Sequence, residues 1–143
     1  MSPAPTSPSS DLSPAEMPQR VLLVEDDESL RTVLARHLRG QGYEIAEATS
    51  AETAATAIAD GFRPGLVLLD INLPGQTGWD LLRGPALDAA GSPPVVVTSA
   101  LTIDPRRLAE FGVAGYLPKP FPLETLIATI ERLLSSEEET ENA

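Results

Sequence analysis

Four places in this chain set acids, hydroxyls or an ammonium directly beyond a short apolar run. Val21-Leu22-Leu23-Val24 leads into Glu25-Asp26-Asp27, and Leu66-Val67-Leu68-Leu69 into Asp70. Val95-Val96-Val97 leads into Thr98-Ser99, and Tyr116-Leu117 into Pro118-Lys119-Pro120. Two carboxylates ~5 Å apart repel by about 3 kcal/mol at an effective dielectric of ~20, so a cluster of such acids requires a compensating cation. Mg²⁺ suits that task, because it takes hard oxygen ligands and is commonly held by one or two carboxylates together with phosphate oxygens. Lys119 is the only lysine in the chain, and its compact ammonium can act as a point charge toward phosphate or carboxylate. The prolines flanking it narrow the conformations of the loop that would aim it.

These groups meet only if the apolar runs lie side by side. Val21–Val24, Gly65–Leu69 and Pro94–Val97 are continuous apolar stretches, as expected of strands buried on both faces of a parallel sheet. Weaker strands are predicted at 43–46 and 114–117. Leu30, Val33, Leu34 and Leu38 recur at helical spacing, with Asp27 able to cap the start and Gly40 the end. Ser50 can cap a second helix over 51–60, stopped by Gly61, and three more are predicted at 78–87, 105–111 and 122–134. Strand followed by helix, five times over, predicts a doubly wound α/β domain with a five-stranded parallel sheet. In such sheets ligands bind beyond the carboxyl ends of the strands, where the acids, hydroxyls and lysine stand.

The remainder of the sequence narrows the field. The 143 residues carry 10 Lys+Arg against 21 Asp+Glu, a net charge of -11, with no cysteine and one histidine. Binding to nucleic acid through phosphate neutralisation would call for a basic stripe, so neither nucleic acid nor an anionic membrane is an expected partner. Absence of cysteine removes disulfides, thiolate metal sites and Cys nucleophiles. No apolar run reaches the ~20 residues needed to span a bilayer, and the first residues lack the apolar core of a secretory signal. A cytoplasmic location is the expectation. Residues 1–19, with five Pro and five Ser, read as a disordered leader, and 135–143, with Glu137, Glu138, Glu139 and Glu141, as a disordered acidic tail. One domain is expected between them, over 20–134.

Four segments in order, Val21 to Asp27, Leu66 to Gly75 with Gly78, Val95 to Ala100, and Gly115 to Phe121, resemble the signature segments of the response-regulator receiver domain. The resemblance covers about residues 20–134 and implies a flavodoxin-like (βα)5 fold. It also implies that Asp70 accepts a phosphoryl group from phosphohistidine on a sensor histidine kinase or histidine phosphotransfer protein. Asp26 would be the principal Mg²⁺ ligand, with Asp70 itself, Glu25 through water and Asn72 through its backbone carbonyl completing the set. Ser99, rather than Thr98, would be the switch hydroxyl that binds a phosphoryl oxygen. Lys119 would pair with another, and Tyr116 would be the aromatic switch. Phosphoryl transfer needs little beyond in-line placement, a metal and a positive side chain, so the residues are chemically sufficient.

On this reading the chain is a stand-alone response regulator of a two-component or phosphorelay system that signals by binding a separate effector protein. It catalyses its own phosphorylation and dephosphorylation and is not a turnover enzyme. A receiver-fold interaction module working without phosphorylation is the alternative. An aspartyl phosphatase on a similar fold is disfavoured by Asn72, which stands where such enzymes usually have a second Asp. The segment from Ser99 to Tyr116 is shorter than in many receivers and holds Asp104-Pro105, which predicts a short or reoriented fourth helix. Leu101, two residues beyond Ser99, offers no polar group to position a hydrolytic water, so a long-lived phosphorylated form is expected. His37 and Trp79 are assigned no functional role.

Overall fold

A computed structural model describes residues 19–142; nearly all of the expected leader, at 1–18, lies outside the described residues, as does residue 143. Five strands, β1 (Arg20–Val24), β2 (Glu44–Ala48), β3 (Leu66–Asp70), β4 (Val95–Ser99) and β5 (Gly115–Pro118), form one sheet in the order β2-β1-β3-β4-β5. Every neighbouring pair is parallel. Helices α1 (Glu28–Gly40), α2 (Ala51–Ala59), α3 (Gly78–Arg83), α4 (Ala86–Ala89), α5 (Pro105–Glu110) and α6 (Leu123–Asn142) cover both faces. This is the doubly wound arrangement that the alternation of strand and helix predicts, in the flavodoxin-like form that the resemblance implies.

Strand alternation splits the apolar residues into two cores. Leu22, Val24, Val67, Leu69, Val95 and Val97 join Ala54 and Ile58 of α2 and Leu81 of α3 on one face. Val21, Leu23, Leu66, Leu68 and Val96 join Leu34 and Leu38 of α1 and Leu126, Ile130 and Leu134 of α6 on the other. Central strands β1 and β3 are buried almost completely, which accounts for their unbroken apolar runs.

Helix starts follow the expected capping chemistry. The Asp27 carboxylate accepts from the Leu30 amide at 3.0 Å, and Ser50 and Thr53 satisfy each other's backbone amides at the head of α2. Asp104 accepts from the Arg106 amide in front of Pro105, and α5 is indeed short, at six residues.

Several boundaries differ from the sequence reading. Gly40 lies inside α1; Gln41 is the cap, and the left-handed residue is Gly42, at φ +98°. The second and fifth strands begin one residue later than predicted and end at Ala48 and Pro118. The helix expected over 78–87 is two, because Pro85 has no amide hydrogen and Gly84 before it is extended at φ -78°, ψ 176°. The backbone of α6 continues as helix to Asn142, through the acidic stretch read as a disordered tail. That stretch contains no Gly or Pro to stop it, and Glu is a good helix former.

Gly78 is where the fold closes beneath Asp70. Its amide donates to the Ile71 carbonyl at 3.0 Å, and a Cβ placed there would meet the Asp70 carbonyl oxygen and the Ile71 Cα, each at 2.9 Å. Gly78→Ala must push α3 off the end of β3. A loss of about 1–3 kcal/mol is expected from such overpacking, read as a lower urea midpoint with an unchanged slope.

Candidate functional site

Register sets the acids level with one another. Val24 of β1 pairs with Leu69 of β3, so Glu25 and Asp70 leave the sheet at the same height. Both continue the alternation that carries Val21, Leu23, Leu66 and Leu68 to the α1/α6 face, and Lys119 continues that of Leu117. The outcome is a buried ion cluster. Lys119 Nζ donates to Glu25 Oε1 at 2.7 Å and to Asp70 Oδ2 at 3.2 Å, with Glu25 only 2% and Asp70 3% exposed. Asp26, which is exposed, completes a group in which one carboxylate oxygen each from Glu25, Asp26 and Asp70 lie within 4.8 Å of one another.

Backbone contacts hold these side chains in place. Glu25 Oε2 accepts from the Asp27 amide at 3.0 Å, and the Glu25 amide donates to Ala48 of β2 at 3.0 Å. Arg31 of α1 donates to the Glu25 carbonyl at 3.1 Å. Asp70 Oδ1 accepts from the Asn72 amide at 2.9 Å, while the Ile71 amide donates to Thr98 of β4 at 3.1 Å. The Lys119 amide donates to the Ser99 carbonyl at 2.8 Å, and the Lys119–Pro120 bond is cis.

Electrostatics at the cluster are unbalanced, with three carboxylates around a single ammonium. Burial pushes the Glu25 carboxyl above the usual carboxylate range, helped by the charge of Asp70 and opposed by the Lys119 and Asp27 hydrogen bonds. Burial pulls the other way on Lys119, but the Glu25 hydrogen bond and the two carboxylate charges outweigh it and hold the ammonium above its ordinary value. Hard oxygen donors without nitrogen or sulfur, carrying surplus negative charge, fit a divalent cation of the Mg²⁺ type and not zinc.

On the opposite side of Asp70 lies a second set of polar contacts. Ser99, 1% exposed, continues the alternation of Val95 and Val97 to the α2/α3 face. Its hydroxyl donates to Asn72 Oδ1 at 2.8 Å and accepts from the Leu101 amide at 3.0 Å. The Leu101 carbonyl in turn accepts from the Tyr116 hydroxyl at 3.3 Å. It is Ser99, not its neighbour Thr98, whose hydroxyl enters this network. Six of the seven residues singled out from the sequence therefore stand at the carboxyl edge of the sheet, Glu25, Asp26, Asp70 and Lys119 in one cluster and Asn72 bonded to Ser99 beside it; Tyr116, inside β5 opposite Val97, joins Ser99 through the Leu101 backbone. The sequence reading used only the backbone of Asn72 and missed its side chain, whose partner lies 27 residues away.

Two neighbouring features frame the site. A cleft of about 600 Å³, lined by Asp27, Leu30, Val33, Leu34, Lys119 and Phe121 among others, opens between α1 and the loop after β5. Across the sheet, Trp79 of α3 packs on Phe111 with ring centroids 4.9 Å apart, and the Arg107 guanidinium lies 4.5 Å from the Trp79 ring centre. That stack tethers α5 to α3.

Comparison with known proteins agrees with this geometry. Residues 21–131 match the family model described as the response regulator receiver domain. The chain is 40% identical over 126 residues to the DNA-binding response regulator MtrA of Mycolicibacterium smegmatis, covering 86% of this chain and 54% of that protein. It is 34% identical over 132 residues to the transcriptional regulatory protein PdtaR of Mycobacterium tuberculosis, covering 91% and 63%. It thus spans roughly half to two-thirds of the length of these curated relatives. Among solved structures, a CheY-like receiver domain protein from Methanospirillum hungatei superposes with a TM-score of 0.79 at 25% identity, over 87% of this chain and 99% of that one. The non-phosphorylated HemR receiver domain from Leptospira biflexa gives 0.69 at 33% identity, over 82% and 94%. Receiver domains are signalling modules of two-component systems rather than turnover enzymes; they receive phosphoryl groups from histidine kinases and generally bind Mg²⁺ in an acidic pocket. No helix among the described residues is long and apolar enough to cross a membrane. With that match running through Glu25, Asp26, Asp70, Ser99 and Lys119, the chain belongs to the response-regulator receiver domain family.

Proposed function

We propose that Asp70 is the phosphoacceptor of this receiver domain, and that its phosphorylation by a histidine-phosphorylated partner is the event the domain transmits. The observation that carries this reading is the Asp70 carboxylate itself, buried at the end of β3 yet bonded to Lys119 at 3.2 Å and set among further acids. An Asp70 oxygen attacks phosphorus, the P–N bond to the donor imidazole breaks, and the imidazole leaves with that electron pair. Lys119 stands where it can shift from carboxylate to phosphoryl oxygen, supplying positive charge as the three equatorial oxygens gain it. Asp26 and Asp70, with the Asn72 carbonyl and with Glu25 through water, would hold Mg²⁺, which supplies further positive charge to the phosphoryl oxygens. Ser99 would donate to the remaining phosphoryl oxygen, and its link through Leu101 to Tyr116 supports Tyr116 as the side chain that reports the change.

The cleft against α1 borders Lys119, so a donor protein seated there would bring its phosphohistidine to the mouth of the site. The apolar lining suits a protein surface better than a small polar donor. Downstream, the output is altered binding to an effector.

Exposure of the full chain to acetyl phosphate with Mg²⁺, read by intact mass, is expected to give a single phosphoryl adduct. Omitting Mg²⁺ or substituting Asp70→Asn should abolish it, and an equal adduct on Asp70→Asn would refute the assignment. Charge balance gives a separate expectation. Three carboxylates with oxygens within 4.8 Å of one another share one ammonium, so Asp70→Asn, which removes one of the three charges, should stabilise the metal-free protein by on the order of 1 kcal/mol. Millimolar Mg²⁺ should raise the parent's melting temperature and do so much less in Asp26→Asn. Leu101→Glu places an acceptor where the parent has an exposed apolar side chain. Loss of the adduct after removal of donor should accelerate about tenfold or more, a part of the roughly 100- to 10,000-fold that a fully positioned proton acceptor supplies; decay at the parent's rate would show that Leu101 does not protect the phosphoryl group.

A further inference from the structure

The Ser99 hydroxyl has one proton, and the structure assigns it an acceptor other than the phosphoryl site. That acceptor is Asn72 Oδ1 at 2.8 Å, while the Leu101 amide occupies the hydroxyl oxygen at 3.0 Å. Ser99 is 1% exposed, so water offers its proton no ready alternative. We infer that the Asn72 side chain is a positioning residue: its amide oxygen holds the Ser99 hydroxyl in the unphosphorylated arrangement and so sets how readily the domain switches. The inference rests on the reading of Asp70 as phosphoacceptor and adds a regulatory element to that site.

The argument is one of exclusive donation. For Ser99 to donate to a phosphoryl oxygen on Asp70, it must release Asn72 Oδ1, since one O–H serves one acceptor well at a time. Asn72 cannot simply follow, because its own backbone amide is anchored on Asp70 Oδ1 at 2.9 Å. Nor is the movement local to Ser99. Turning its hydroxyl away disturbs the bond from the Leu101 amide, and the Leu101 carbonyl is the acceptor of the Tyr116 hydroxyl at 3.3 Å. A side-chain amide two residues beyond the acceptor aspartate is thereby connected, through four groups in sequence, to the aromatic ring at the far side of β5. Its bond must break for the switch to complete, so it favours the resting state by the worth of one hydrogen bond.

Asn72→Leu removes the acceptor at nearly constant shape, and Asn72→Asp keeps an oxygen in the same place. In the full chain without any phosphoryl donor, Asn72→Leu should shift the Leu101 amide and Tyr116 ring resonances, and Asn72→Asp should return them toward the parent's positions. In a Ser99→Ala background, Asn72→Leu should leave both signals unmoved. With acetyl phosphate and Mg²⁺, the initial rate of adduct formation should rise about fivefold in Asn72→Leu, the shift that one lost side-chain hydrogen bond gives, with no rise in the Ser99→Ala background. Unshifted Leu101 and Tyr116 signals, or a rate gain that survives Ser99→Ala, would overturn the inference. Resonances that move as expected in a protein whose parent takes up no phosphoryl group would uphold the Asn72–Ser99 contact and count against Asp70 as acceptor.

Discussion

Two buried carboxylates share one ammonium at the carboxyl edge of the sheet, and the rest of the structure is arranged to tolerate that imbalance. Glu25 and Asp70 are almost wholly inaccessible, and with Asp26 beside them Lys119 neutralises only part of their charge. An apolar domain core would ordinarily reject such a cluster. Here the acids are taken out of water only where backbone amides stand ready: Asp27 for Glu25 and Asn72 for Asp70. Their remaining valence points at a common space. A site that is under-neutralised at rest is one that an added divalent cation would balance, because the surplus charge is negative and carried on oxygen.

That arrangement depends on strand register more than on any loop. Because β1 and β3 are adjacent and in register at Val24 and Leu69, the residues that follow emerge side by side. Alternation then sorts the polar groups between the faces. Glu25, Asp70 and Lys119 continue the strand positions that pack against α1 and α6, whereas Ser99 continues those that pack against α2 and α3. A slip of one residue in any of these strands would send the acid or hydroxyl to the opposite face. Gly78 keeps the geometry tight from below, letting α3 start against the backbone of Asp70.

The same dependence on the sheet made much of the site legible in the sequence. Runs such as Val21–Val24 and Leu66–Leu69 identify doubly buried strands because short, uninterrupted apolar segments suit few places in a fold besides the interior of a parallel sheet. The residues ending those runs inherit their positions from the sheet, so the amino-acid order alone places the acids, Ser99 and Lys119 together. The break of the third helix was written in Gly84-Pro85 but masked by apolar residues on both sides, Leu81 and Leu82 before it and Ala86 and Leu87 after, which sustain a helical period across the gap. Contacts set by rotamer and loop path left no such trace. Trp79 on Phe111, and Ser99 on Asn72, join residues far apart in sequence, and neither side chain's type announces its partner.

The two polar groups around Asp70 differ in character, and the difference bears on how a chemical event becomes a surface change. On one side the contacts are between charges, strong and tolerant of small displacements. On the other they form a chain of neutral hydrogen bonds in which each proton has one destination, Tyr116 to Leu101, Leu101 to Ser99, Ser99 to Asn72. A chain of that kind does not respond in proportion: its members either keep their acceptors or exchange them together. On the proposed reading, charge added at Asp70 would be met by the first group and converted into a discrete rearrangement by the second. The short α5, capped by Asp104 and tethered to α3 through Trp79 and Arg107, lies on the segment between Leu101 and Tyr116. Any exchange within the chain would therefore bear on a surface helix that contributes no fully buried residue to the core.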